Sequence, residues 1–311
     1  MKHLLENQPT SSTQQYHIQV AETAVTLPAT IIKGGQSGRT LLITAGIHGS
    51  EYPGIEAAKQ LIQKIDPSRL AGNVLIFPCI NQRAFFERRA FVNPADGKNI
   101  NRCFPGNPLG TESEKIAYTL ETEVFSAADF YLDFHSGDLS EKLNAFVFVP
   151  GVGEPAALKK ARQHANCLNL PFGVISKGRT EAYNRACAMG VPALLIERGG
   201  FGECHAQEIE GFVDDAARIM ADLKMLEQPL EDKKELPLLT EVCYVHSPST
   251  GLWTPTCEIS DLVQKGQLLG VIEDFFGNVL KEVFAEQEGQ ILYQAAGLPI
   301  NEGESLIAYG L

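Results

Sequence analysis

Five short runs of almost purely apolar residues, at 41–45, 74–80, 130–134, 145–149 and 193–196, constrain the fold of this chain more than any other feature. Continuous rather than alternating apolarity marks strands buried on both faces, the condition of a mostly parallel sheet covered by helices. Between the runs the apolar residues switch to helical spacing. Residues 54–65 place Ile55, Ala58, Leu61, Ile62 and Ile65 on one face, and 113–125, 155–169 and 212–226 read similarly. Strands alternating with helices predict an open α/β sandwich. At 311 residues the chain has room for one main domain of that kind and a smaller one, with cores that need no disulfides.

The composition shifts after the last helix. Residues 227–237 (EQPLEDKKELP) are charged, flanked by proline and poor in large apolar side chains, which predicts a linker between a main domain at 1–230 and an all-β domain at 237–311. Gly251 in "GLWTP" and Gly266 in "VQKGQLLG" are echoed by Gly289 in "EGQILY" and Gly303 in "INEGESLI". Such a near-duplicate predicts a β-sandwich of two interlocked halves and resembles the barrel-sandwich fold of biotinyl and lipoyl domains. Those carriers need a lysine at an exposed hairpin tip. Lys281, in "EDFFGNVLKEV", lacks their flanking residues, so the tail reads as structural or gating.

Chemistry enters where the apolar runs end. The run at 41–45 leads into "GIHGSE" with His48 and Glu51, 74–80 into Asn81, 130–134 into His135, and 193–196 into Glu197. Open α/β sheets bind ligands at the carboxyl ends of their strands, so one edge is predicted to gather these groups. His48, Glu51 and His135 supply two imidazoles and a carboxylate, the set of a catalytic zinc that leaves a fourth position for water. Ligand type alone leaves manganese and cobalt open. A histidine near a glutamate is commonly only a surface pair; the position of every piece after an apolar run is what favours the metal. Glu197, before Gly199-Gly200, is the candidate general base. Asn101 and Arg102, in "NINRCFPG", read either as part of a turn around Pro105-Gly106 or as a carboxylate clamp.

The charge balance narrows the partners. A net charge of −12, from 26 basic and 38 acidic residues, repels phosphate backbones and anionic membranes. Neither nucleic acid nor a membrane is expected as a partner, and an anionic substrate needs a local arginine. Residues 1–13 hold one lysine and no apolar run, so no secretory leader is expected there. Seven scattered cysteines without a Cys-x-x-Cys pair fit reduced thiols in a cytoplasmic protein.

Taken together, "GIHGSEYPGIEAA", "NQRAF…DGKNINRCFPG", "LDFHSG" and "PALLIERGG" resemble the succinylglutamate desuccinylase/aspartoacylase family of the zinc-carboxypeptidase-like superfamily. The segments keep the family order across most of residues 40–200. The resemblance implies a mixed, mostly parallel sheet flanked by helices, a small C-terminal β domain, and one zinc per chain on His48, Glu51 and His135. It implies Glu197 as the catalytic carboxylate and Asn101 with Arg102 as holders of a substrate carboxylate. An arginine that polarises the scissile carbonyl is implied at Arg88 or Arg89, although the family position nine after Asn81 is Ala90 here. Arg198 stands where a small or apolar residue is usual. Arg179 and Arg185 are candidates for extra basic contacts. The long "DGKNINRCFPG" segment looks like the branch that deacetylates N-acetylated diamino acids. The expected activity is therefore hydrolysis of the amide of a small N-acyl amino acid. The rivals are a zinc carboxypeptidase for short peptides, which needs an open groove, and a non-catalytic metal- or ligand-binding relative. A cysteine hydrolase using Cys103 ranks behind both, and a homo-oligomer is left open.

Overall fold

The computed structural model describes residues 1–227 and 234–311, so most of the expected 227–237 linker lies outside the described residues. The first ten strands are β1 (Ser12–Gln19), β2 (Thr26–Lys33), β3 (Gln36–Ala45), β4 (Ala71–Phe77), β5 (Phe130–His135), β6 (Glu141–Leu143), β7 (Phe146–Pro150), β8 (Gly173–Ser176), β9 (Ala193–Glu197) and β10 (Leu238–Leu239). All except β6 form one nine-stranded sheet in the order β1-β2-β4-β3-β5-β9-β7-β8-β10. The central strands β4, β3, β5 and β9 are parallel. Strand β7 runs against β9, and β1 and β2 pair antiparallel at the edge, so the sheet is mixed.

Helices cover both faces. They are α1 (Lys2–Asn7), α2 (Tyr52–Lys64), α3 (Gln82–Glu87), α4 (Glu112–Thr119), α5 (Pro155–Ala165), α6 (Ala182–Ala188) and α7 (Ala206–Asp222). On one face Ala57 and Leu61 of α2, Ala161 of α5 and Phe212 of α7 bury Leu41, Ile43, Leu132 and Ile196. On the other face Ile116 and Ala186 cover Leu42, Tyr131 and Leu195. Successive strand residues thus serve opposite cores, which is why the runs are almost continuously apolar. The expected helix at 113–125 ends at Thr119 and continues as a π turn, Leu120–Val124. Helix α7 starts six residues before the apolar periodicity does, because its first turn is polar.

The C-terminal strands are β11 (Val242–His246), β12 (Gly251–Pro255), β13 (Leu262–Val263), β14 (Leu268–Glu273), β15 (Val279–Phe284), β16 (Gly289–Ala295), β17 (Pro299–Ile300) and β18 (Ser305–Gly310). They stack as β11-β18-β16-β13 against β15-β14-β12-β17, around a core that includes Trp253, Leu269, Ile291 and Leu306. Strand β12 pairs with β17 and β13 with β16, so the two similar halves interlock. Lys281 lies within β15, beyond the hairpin tip at 274–278.

The two parts of the chain exchange strands. β10 adds to the large sheet beside β8, while β6 pairs with β16. An apolar seam of Phe146, Phe172, Val174 and Leu292 closes the joint. Among the described residues, no helix is long and apolar enough to cross a membrane.

Candidate metal centre

The loop after β3 turns at Gly46, whose φ of +63° is one that glycine adopts without steric cost. A side chain at Gly49 would collide with the backbone of Ala84 in α3, so that loop is drawn tightly under the helix. The turn delivers His48, and Glu51 takes the N-cap of α2. Free helix amides favour a carboxylate there. His135 ends β5 on the same face as Asp133 and Tyr131, because alternate strand residues share a face. The β5–β9 register sets Glu197 directly beside His135.

His48, Glu51 and His135 each bring one ligand atom within 4.8 Å of the others. His48 Nδ1 lies 2.6 Å from Glu51 Oε1, and His135 Nδ1 lies 3.0 Å from Glu51 Oε2. Each outer ring nitrogen faces an oxygen. His48 Nε2 is 3.1 Å from Asn99 Oδ1, an oxygen that also accepts the Asn101 amide at 2.8 Å. His135 Nε2 is 3.1 Å from Asp133 Oδ2. An imidazole whose outer nitrogen donates to such a partner leaves Nδ1 as a lone pair. Two lone pairs then aim at one carboxylate, which only protons or a cation can reconcile. The donor set fits a metal ion on that ground.

The titration behaviour agrees. Burial opposes ionisation of Glu51, but the two imidazoles outweigh it and hold the carboxyl down at about 2. Burial would depress His135, yet Glu51 and Asp133 raise it well above the ordinary imidazole range. For Glu197 burial dominates, His135 offsets part of it, and Glu51 and Glu141 add to it, so its carboxyl is held well above the usual range. Glu197 Oε2 is buried without a hydrogen-bond partner.

These groups floor a cavity of about 380 Å³, a volume suited to a small molecule. Asn101, Arg102 and Glu181 line one part, and Asp138 of the loop after β5 and Glu141 of β6 line another. Phe146 and Phe148 of β7, Tyr244 of β11 and Tyr293 of β16 also border it. The C-terminal sheet therefore contributes directly to the cavity wall. A larger hollow of about 760 Å³ between α2 and α7 is lined by Lys64, Arg69 and Met220 and lies away from the metal-ligating groups.

The arginines expected near the site separate. Arg102 lines the cavity, with Nη1 3.0 Å from the Asn101 carbonyl and 3.7 Å from Glu181. Asn101 is buried, and its Oδ1 accepts the Ala182 amide at 2.8 Å. Arg88 and Arg89 are both exposed, and neither lines the cavity. Asn81 caps α3, and six helical residues carry the chain about 9 Å from that cap before Arg88 ends the helix in a left-handed conformation. Arg179 is exposed outside the cavity, and Arg185 pairs with Glu121 at 2.6 and 2.9 Å. Arg198 forms a two-pronged pair with buried Asp215 of α7, at 2.7 and 3.1 Å. Gly211 leaves room for that guanidinium, which explains why an arginine is tolerated after Glu197. Burial pushes the Cys103 thiol up, and it donates to the Asn99 carbonyl at 3.3 Å, so it is no activated nucleophile.

Asp133, Asn99, Glu141, Glu181, Tyr244 and Tyr293 escaped the sequence reading. Asp133 had a signal: a charged residue inside an apolar strand, two before a histidine, shares the histidine's face. Thr44 donates to its Oδ1 at 2.6 Å and is itself 2.6 Å from the Tyr131 hydroxyl. Asp133→Asn is expected to weaken metal affinity by about 10- to 100-fold, since the amide no longer holds the imidazole proton electrostatically. Competition against a chelator checks this; unchanged affinity would remove Asp133 from the centre.

A model of the succinylglutamate desuccinylase/aspartoacylase catalytic domain matches residues 37–223. A curated relative, the N-alpha-acetyl-L-2,4-diaminobutyric acid deacetylase of Halomonas elongata, is 28% identical over 295 residues, covering 91% of this chain and 85% of the relative. The product-bound structure of the ectoine utilization protein EutE (DoeB) from Ruegeria pomeroyi superposes with a TM-score of 0.87 at 25% identity, covering 98% of each chain. A succinylglutamate desuccinylase/aspartoacylase from Rhodobacter sphaeroides shares the fold, with a TM-score of 0.84 at 24% identity, covering 98% of this chain and 97% of that one.

Proposed function

The chain belongs to the succinylglutamate desuccinylase/aspartoacylase family, and from that premise we propose that it is a zinc-dependent deacylase of small N-acyl amino acids, with N-acetylated diamino acids as the preferred class. The observation that carries this reading is the convergence of His48, Glu51 and His135 on one point with Glu197 as the register neighbour of His135. His48 Nδ1, Glu51 and His135 Nδ1 would hold one zinc, which when bound supplies a Lewis acid for water and for the scissile carbonyl.

The chain's own residues do the rest. Glu197 takes the proton of the attacking water and returns it to the departing amine, a role that suits a carboxyl whose affinity for protons is raised by burial. Arg102, with Asn101 beside it, receives the substrate carboxylate. Holding that carboxylate fixes the acyl group relative to the centre, which replaces translational search by orientation. No step is assigned to Arg88 or Arg89, because Arg102 is the arginine that lines the cavity. Tyr244 and Tyr293 border a cavity of about 380 Å³, which favours a small N-acyl amino acid over a peptide chain. The reading includes a catalytic unit over 1–230 with a β unit over 237–311. It also includes a cytoplasmic site of action, in keeping with seven free cysteines.

The test is a panel of N-acetyl and N-succinyl amino acids beside C-terminal dipeptides, assayed with the zinc-loaded protein. Deacylation with N-acetyl-diamino acids leading is the expected result. Preferential dipeptide cleavage would move the protein to the carboxypeptidases.

A further inference from the structure

That chemistry leaves one acidic group in the cavity without a role. Glu51 belongs to the metal centre and Glu197 to proton transfer, while Glu181 faces Arg102 at 3.7 Å. Asp138 holds its own turn, accepting the Ser140 amide at 2.6 Å and hydroxyl at 2.9 Å. Glu141 remains. Its carboxylate has the Asp138 backbone N–H and, among the described residues, no cationic partner. Burial first, and Asp138 next, push it up to about 7. A carboxylate kept in such a place is costly until a cation joins it.

Its position is rigid. Glu141 opens β6 opposite Ala295 of β16, and its carbonyl accepts the Phe201 amide at 2.8 Å. The same strand β16 supplies Tyr293, which is within electrostatic reach of Glu141 and 6.4 Å from Tyr244, ring to ring. Tyrosine faces beside a carboxylate suit an ammonium. A second carboxylate on the substrate would instead meet Glu141 with its own charge.

We propose that Glu141, set on β6 beside Tyr293, binds a side-chain ammonium of the substrate and thereby selects mono-acylated diamino acids over acylated aspartate or glutamate. The inference rests on the deacylase reading and adds to it the residue that decides the substrate. The C-terminal sheet positions the selecting group through the β6–β16 pairing.

The experiment compares Nα-acetyl-2,4-diaminobutyrate with Nα-acetylnorvaline, which replaces the ammonium by a methyl, and with Nα-acetylaspartate. The zinc-loaded chain is expected to favour the diamino substrate over norvaline by about 100-fold in kcat/KM. In Glu141→Gln that ratio should fall below about 10, chiefly through KM, and Glu141→Lys should shift preference toward acetylaspartate. Calorimetric binding of 2,4-diaminobutyrate and norvaline reads the same discrimination without turnover. Equal handling of the two acetylated substrates by the unmodified chain, or equal loss on both in Glu141→Gln, would overturn the subsite. No turnover, with a diaminobutyrate preference that Glu141→Gln abolishes, would sink the deacylase reading and leave the subsite standing. No turnover and no binding preference would remove both.

Discussion

Glu197→Gln is expected to lower kcat for deacylation by about three orders of magnitude while the chain still takes up zinc. The amide keeps the shape of the carboxylate but cannot carry the proton. His48, Glu51 and His135 converge without Glu197, so metal content should not change. The same variant predicts a stability effect of opposite sign. Burial holds the folded-state pKa of Glu197 well above its unfolded value. The folded state therefore binds that proton more tightly, and its stability declines as pH rises above the ordinary carboxylate range. Metal-free Glu197→Gln escapes that loss, so its melting temperature should match the unmodified chain in mild acid and exceed it above neutrality. Full activity in Glu197→Gln would take the proton transfer away from this residue. Loss of zinc together with activity would make Glu197 part of the metal centre instead.

Removing the metal should have an effect at least as large. Chelation is expected to abolish turnover, and zinc to restore it. A ligand at about 1,000 times its dissociation constant stabilises the folded chain by about 4 kcal/mol, which is roughly 8 °C in melting temperature. The metal must displace a proton, because Glu51 and Asp133 hold His135 in its charged form despite burial. Affinity should therefore fall as the pH is lowered. Calorimetry in buffers of different ionisation enthalpy should count about one proton released per zinc at neutral pH. An unchanged melting temperature and no proton release would show that the cluster is not the binding site.

The parts of this site that could be read in advance share one property. His48, Glu51, His135 and Glu197 each follow an apolar run, and a polar group at the end of a buried strand is visible in one dimension. Asn101 and Arg102 were legible through their motif and do line the cavity. The exposed positions of Arg88 and Arg89 were not legible, because sequence distance from Asn81 says nothing of the direction in which α3 leaves the edge of the sheet. Glu141, Tyr244 and Tyr293 offered no signal, since two of them stand more than a hundred residues beyond His135 and meet it only through packing.

The sequence by itself determined which segments are buried on both faces, where their polar ends fall, and that two similar β halves close the chain. Those features depend on side-chain periodicity and solvent exclusion, which act locally. Tertiary structure alone decided that β7 runs against β9, that β6 leaves its own neighbours for β16, and that Arg198 turns away to Asp215. Apolar continuity reports burial but carries no direction or partner. Backbone hydrogen bonds to distant strands and the pairing of buried charges supply both, and they exist only once the chain has folded.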